Sequence, residues 1–219
     1  MKSNKFVSMS LGTVAALACI SAPLTASAAT LTFDDLPNSS GGSPIPNGYN
    51  GFTWNNFYEV NGLSNIYTPP NSTGYQAGVV SPNNVIFNGF ANPASLSSAT
   101  PFTFNSAYFT AAWNDGLQID VKGFLGSTQL FATTIAPSAT APTLFTFDWA
   151  GIDTLSFVSY GGTQHQGYIG NGTHFALDNL TYNEKTRAVP VPGVVFGVVA
   201  AGALFSRRLL KERSAKAVA

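Results

Sequence analysis

The run Ala107-Tyr108-Phe109-Thr110-Ala111-Ala112-Trp113-Asn114-Asp115-Gly116-Leu117-Gln118-Ile119-Asp120-Val121-Lys122 decides the fold class. Its odd positions from Ala107 to Trp113 are apolar, and from Leu117 to Lys122 apolar and polar residues alternate strictly. Period two marks a strand with one buried face. Between the halves, Asn114-Asp115-Gly116 is a turn, because an Asp-Gly pair tolerates positive φ. The reading is strand, turn, strand, with Leu117, Ile119 and Val121 inward and Gln118, Asp120 and Lys122 toward water. Trp113 and Trp149 fall in phase with apolar strand faces and are expected in the core.

The same pattern continues on both sides. After a Gly126-Ser127 turn, residues 128–136 read as a strand, and Phe145, Phe147 and Trp149 line one face of the next. Residues 154–159 and 175–182 complete the C-terminal half, while 31–33, 51–57, 85–87 and 101–104 are strand candidates in the N-terminal half. Phe, Tyr and Trp are plentiful and Lys and Glu scarce, so strand formers outnumber helix formers. Short strands separated by turn residues predict an all-β fold, an antiparallel two-sheet sandwich over residues 29–183. The connections 37–50 and 61–84 are long for such a fold, and binding surfaces favour such loops.

Both ends of the chain read as addresses. Lys2 and Lys5 precede an apolar stretch from Phe6 to Leu24, and Ala26-Ser27-Ala28 offers small residues for cleavage, so 1–28 reads as a signal peptide for Sec-type export. Processing at Cys19 as a lipoprotein is a rival reading. Cys19 is the sole cysteine, and its removal leaves no disulfide, thiol nucleophile or Cys-based metal site. Residues 184–188 form a short linker. The 17 residues from Val189 to Phe205 carry no charge and have the shortest length that spans a bilayer core of ~30 Å. Arg207, Arg208, Lys211 and Arg213 follow, which predicts a single C-terminal transmembrane helix with a basic cytoplasmic stop and a tail at 214–219.

The zero formal charge hides an asymmetry. From Ala29 to Ala188 nine acids face Lys122, Lys185 and Arg187, a net charge of −6. So acidic a segment gives no footing for nucleic acid, which is discarded as a partner.

The proline motif Val189-Pro190-Val191-Pro192, the apolar helix and the basic end with Arg207 and Arg208 resemble the PEP-CTERM sorting signal, although Val191 stands where that family carries Glu. The resemblance covers 189–213 and implies an exosortase-like sorting enzyme as partner. It also implies an extracytoplasmic location, anchored in the bacterial inner membrane by the C-terminal helix or transferred to the cell surface or matrix. A tail that is read but not cut would be a single-pass anchor. The segments 31–36, 148–157 and 175–180 loosely resemble jelly-roll domains of other PEP-CTERM proteins and of carbohydrate-binding modules. A jelly roll implies adjacent first and last strands, which would gather Asp34, Asp35, Asp178 and Asn179 into an oxygen-rich shell suited to Ca²⁺. The competing reading is that these residues terminate strands and bond to neighbouring backbone amides.

Aromatic residues outside the alternating strands, Trp54, Phe57, Tyr58, Tyr67, Tyr75, Tyr160 and Tyr168, offer flat faces for stacking on sugar rings, as they would equally serve a core. Trp54, Tyr58 and Tyr168 are the leading ligand-binding candidates, with Tyr168 in the 161–172 loop as the first choice for an exposed ring. His165 and His174 form no zinc-ligand pattern and are expected to face solvent. No Gly-x-Ser-x-Gly or His-Glu-x-x-His motif is present. These observations favour an exported, membrane-anchored or surface-sorted, non-catalytic sandwich that binds or structures extracellular polysaccharide. The alternative is a polysaccharide hydrolase or lyase of the same fold, using two carboxylates among Glu59, Asp115, Asp120, Asp148 and Asp153.

Overall fold

The computed structural model describes residues 29–183. The signal peptide, linker, sorting motif, transmembrane run and tail read from the sequence lie outside the described residues. Among the described residues, no helix is long and apolar enough to cross a membrane. The elements are β1 (Ala29–Leu31), β2 (Ser43–Pro44), β3 (Thr53–Asn55), β4 (Phe57–Asn61), α1 (Gly74–Ala77), β5 (Asn84–Asn88), β6 (Ala94–Ala111), β7 (Asn114–Asp115), β8 (Gln118–Leu125), β9 (Thr128–Ile135), β10 (Thr143–Tyr160), β11 (Thr163–Gln164) and β12 (Phe175–Tyr182).

Ten strands form one antiparallel sheet, eight of them in the order β2-β4-β5-β12-β6-β10-β8-β9, with β1 added on β12 and β3 on β6. Two strands of 18 residues each, β6 and β10, fold this sheet into two layers. The second half of β6 pairs with β12 and with the first half of β10, and its first half pairs with β3 and with the second half of β10. The second half of β10 in turn carries β8. The bend falls where the β6–β10 register shifts, between Thr146 and Thr154, and there Asp148 adopts φ 51°. An extra residue in one strand bends it and lets it pass from one sheet to the other. Sequence patterning reads 101–104 and 107–113, and likewise 145–149 and 154–159, as separate strands, because each bulge resets the alternation.

The two sheets close on an aromatic core. The Phe157 ring, from the β8-side sheet, lies 5.6 Å from that of Phe57, 6.0 Å from Phe109 and 5.9 Å from Phe175, all on the β12-side sheet. All four are essentially inaccessible to solvent. The β8–β9 hairpin follows Gly126-Ser127 as read from the sequence.

The strand, turn and strand read over residues 107–122 are present, with β6 before the turn and β8 after it. Gly116 takes φ +72°, so the turn forms, but the strands on either side of it do not pair. β10 stands between β6 and β8 in the sheet order, and the connection crosses from one sheet to the other. Asn114 and Asp115 pair instead with Gln164 and Thr163 of β11. A turn motif specifies a reversal of direction; which strand lies alongside is set by the rest of the sheet.

Candidate functional site

Successive side chains of β4 and β5 point to opposite faces of the sheet, and both faces are covered. Phe57 and Ile86 enter the main core, whereas Val60, Val85 and Ala176 form a second cluster with Tyr75 and Ala112, against which Phe87, Tyr67, Val79 and Trp113 pack. The long connection between β4 and β5 therefore covers the outer face of the β12-side sheet. It is fastened there by two carboxylates. Asp178 accepts the N–H groups of Val80 (2.8 Å), Ser81 (2.9 Å) and Asn179 (2.7 Å) and the Ser81 hydroxyl (3.1 Å). Asp34 accepts the N–H groups of Asn83 (2.9 Å) and Asn84 (3.0 Å).

Fastening this connection leaves a cavity of about 400 Å³ lined by Gly41, Gly42, Tyr58, Tyr67, Tyr75, Phe87, Gly89, Phe90, Trp113 and His174. The rings form a connected edge-on set, with Tyr67–Tyr75 centroids at 5.1 Å, Tyr75–Phe87 at 5.3 Å, Tyr75–Trp113 at 5.4 Å and Tyr58–Phe90 at 6.0 Å. Burial pushes the Tyr67 and Tyr75 phenols up, so both stay protonated, and it pushes the His174 imidazole down, so it stays neutral. Among the described residues, the buried His174 Nδ1 has no hydrogen-bond partner.

The rim residue Phe90 is 78 % exposed and is held by an unusual turn. Phe90 and the following Ala91 take φ 55° and 56°, a conformation that non-glycine residues avoid. The Asn56 side-chain amide clamps the turn by donating to the carbonyls of Gly89 (3.0 Å), Asn92 (3.3 Å) and Pro93 (3.1 Å). Glycine is required at 89, where a Cβ would stand 2.4 Å from the Tyr58 ring. Backbone held in such sparsely populated conformations clusters at ligand clamps and other functional sites.

A second cavity of about 440 Å³ lies along the open side between β9 and the first half of β10, lined by residues 132–136, Phe145, Thr146, Phe147 and Trp149. Its rings are already engaged. Trp149 stacks on Phe131 at 5.3 Å and Phe147 on Phe104 at 4.5 Å. Trp149, expected in the core, is only partly buried along this side.

Of the three leading ligand candidates, Tyr58 lines the outer-face cavity. Trp54 is a core residue at 5 % exposure, packed among Phe33, Phe52 and Phe57, with its indole N–H donated to the Tyr49 carbonyl. The reason is alternation, since Thr53 and Asn55 on either side are exposed. Tyr168 is partly buried rather than displayed. Its hydroxyl donates to the Ala139 carbonyl at 2.6 Å and its ring leans on His165, whose Nδ1 meets Asp115 at 2.8 Å. Tyr67 and Tyr75, from the wider set of aromatics, do line the cavity. Phe87, Phe90, Trp113 and His174 are the members that the sequence pattern missed. Trp113 is in phase with the core, but β6 ends at Ala111 and the chain turns outward before the indole is placed. His174 is half-buried beside Phe87 instead of facing solvent.

β1 pairs with β12, so Asp34 and Asp178 do come to the same region, where both hold the 80–84 segment. Asp35 accepts the Tyr49 hydroxyl at 2.6 Å. Asp34 Oδ1, Asp35 Oδ1 and both Asp178 oxygens accept from N–H or O–H donors, whereas the buried Asn179 Oδ1 has no hydrogen-bond partner among the described residues. Among the described residues no group of three or more His, Cys, Asp or Glu could hold a metal ion. The carboxylates considered for hydrolysis are dispersed. Glu59 is fully buried, Asp120 accepts from Thr134 and Tyr160, Asp148 from Asn105 and Asp153 from the Gly126 N–H, and none lines either cavity.

No protein-family model matches the chain, and no characterised protein matches it in sequence. Solved structures resemble it in fold. A DUF4465 family protein from Bacteroides caccae shares 14% identity over 74% of this chain and 95% of that one, at a TM-score of 0.45. The K1 cleaved adhesin domain of Lys-gingipain from Porphyromonas gingivalis shares 12% over 74% and 100%, at 0.42. TmCBM61, solved in complex with beta-1,4-galactotriose, shares 7% over 63% and 93%, at 0.32. At TM-scores below 0.5 these likenesses carry no functional argument.

Proposed function

We propose that this protein is a non-catalytic β-sandwich that binds extracellular polysaccharide through the aromatic cavity on its outer face. Sec-type export would deliver it, and the 189–213 tail would hold it in the membrane or pass it to an exosortase-like enzyme. The observation that carries the binding reading is the convergence of Tyr58, Tyr67, Trp113 and the exposed Phe90 on one cavity that has no carboxylate in its lining among the described residues. Sugar rings present C–H faces to aromatic rings and hydroxyl edges to polar groups. This cavity offers both, through its ring faces and through its phenol and imidazole groups.

A glycan array probed with the protein, followed by measurement of reducing ends released from each hit, tests the reading. Binding is expected without turnover. Phe90→Ala, at an exposed position, should leave the unfolding midpoint in place and weaken binding about tenfold, or about 1.4 kcal/mol. Release of reducing ends would refute the non-catalytic reading, and binding that ignores Phe90→Ala would refute the site. Fractionation of cells with a C-terminal mass measurement tests the address, since an intact 207–219 segment excludes sorting-enzyme cleavage.

A further inference from the structure

Among the described residues, no Lys, Arg, Asp or Glu lines the outer-face cavity. The titratable groups that reach it include the Tyr67 and Tyr75 phenols, which burial keeps protonated, and the His174 imidazole, which burial keeps neutral. Its polar atoms are therefore dipoles. The described domain as a whole is not neutral. Among the described residues eight carboxyl groups face a single cation, Lys122, which lies on β8 in the opposite sheet, paired beside Ser156 and Ala132.

An anionic sugar entering this cavity would give up hydration and meet no cation in return, within the field of an acidic domain. An uncharged ring meets neither cost. Resting on the reading that the cavity binds polysaccharide, we propose that it selects uncharged pyranose units and discriminates against uronate-bearing and sulfated polymers. The discrimination has two sources that salt separates. Repulsion by the exposed carboxylates fades as the Debye length shrinks, whereas the missing counter-ion inside the cavity does not. Neutral polymers should bind with little dependence on salt, unlike a basic surface that collects polyanions.

The test pairs neutral glucan, galactan and mannan with carboxymethylated and sulfated derivatives of the same backbones, using the full chain in mild detergent. Affinity is measured by calorimetry at about 50 mM and about 500 mM NaCl, with the wild-type protein and with Phe90→Ala. The expected result is a neutral polymer that binds in a Phe90-dependent way at both salt levels, with its charged derivatives at least tenfold weaker at low salt and still weaker at high salt. A charged derivative that binds as tightly as its parent, and equally through Phe90, overturns the selectivity while leaving polysaccharide binding in place. Binding of none of the polymers, or binding indifferent to Phe90→Ala, overturns the underlying reading and this inference with it.

Discussion

Replacing Asp178 with Asn removes a titration that the fold has displaced. The carboxyl is completely buried, and although it accepts from Val80, Ser81 and Asn179, burial outweighs those donors and pushes its pKa from 3.8 up to about 6. At about 1.36 kcal/mol per pH unit the gap is worth about 3 kcal/mol. The sign follows from proton binding. Between about pH 4 and pH 6 the native state holds a proton that the unfolded chain has lost, so acidification through this window stabilises the fold. The contribution is fully present below the unfolded value, amounts to about 2.4 kcal/mol at pH 4, and is lost as pH rises through the folded value. Urea unfolding of wild type and Asp178→Asn at pH 4, 5, 6 and 7, followed by tryptophan fluorescence, reads it directly. Glu59 is also buried and pushed upward, but it titrates in both proteins and cancels in the difference. The stability of wild type minus that of Asp178→Asn should rise by about 2.4 kcal/mol from pH 7 to pH 4. A difference that stays flat over this range would refute the reasoning, since Asp178 would then titrate no differently in the fold than in the unfolded chain.

Phe157→Ala should cost about 3–5 kcal/mol in urea unfolding, because its ring joins the two sheets through Phe57, Phe109 and Phe175, and a cost below about 1.5 kcal/mol would contradict that packing. Gly89→Ala places a methyl group 2.4 Å from the Tyr58 ring and 2.7 Å from Asn56 Oδ1, so it should lower stability by about 1–3 kcal/mol and weaken glycan binding together, and unchanged values for both would show that the turn is not under this constraint. Heat-unfolding midpoints with calcium and with chelator should coincide, since the oxygens of Asp34 and Asp178 are engaged by backbone donors, and a calcium-dependent rise of more than about 2 °C would show that a cation displaces them.

The strands were legible because alternation is local. Alternation placed a strand over 117–122, where β8 spans Gln118–Leu125, and the strand read over 175–182 coincides with β12. The candidate site was legible in part, through the length of the 61–84 connection and its tyrosines. Trp54 and Trp113 exchanged roles because a side chain's face depends on whether its strand continues. Trp54 sits inside a short strand that keeps the alternation, whereas Trp113 follows the last paired residue of β6 and is free to turn outward. Phe90 carried no sequence signal, because its exposure comes from a left-handed turn that Asn56 clamps from 33 positions away.

By itself, then, the sequence determined an acidic, cysteine-free antiparallel β fold between an export-like start and an apolar, basic-capped end, since composition and short-range periodicity depend only on neighbours along the chain. Tertiary structure alone decided which strands pair, where the two long strands change sheets, and that Asp34 and Asp178 hold a loop whose tyrosines meet Phe90, Trp113 and His174. Those outcomes rest on bulges, burial and hydrogen bonds between residues far apart in sequence, and such contacts exist only once the chain has closed on its core.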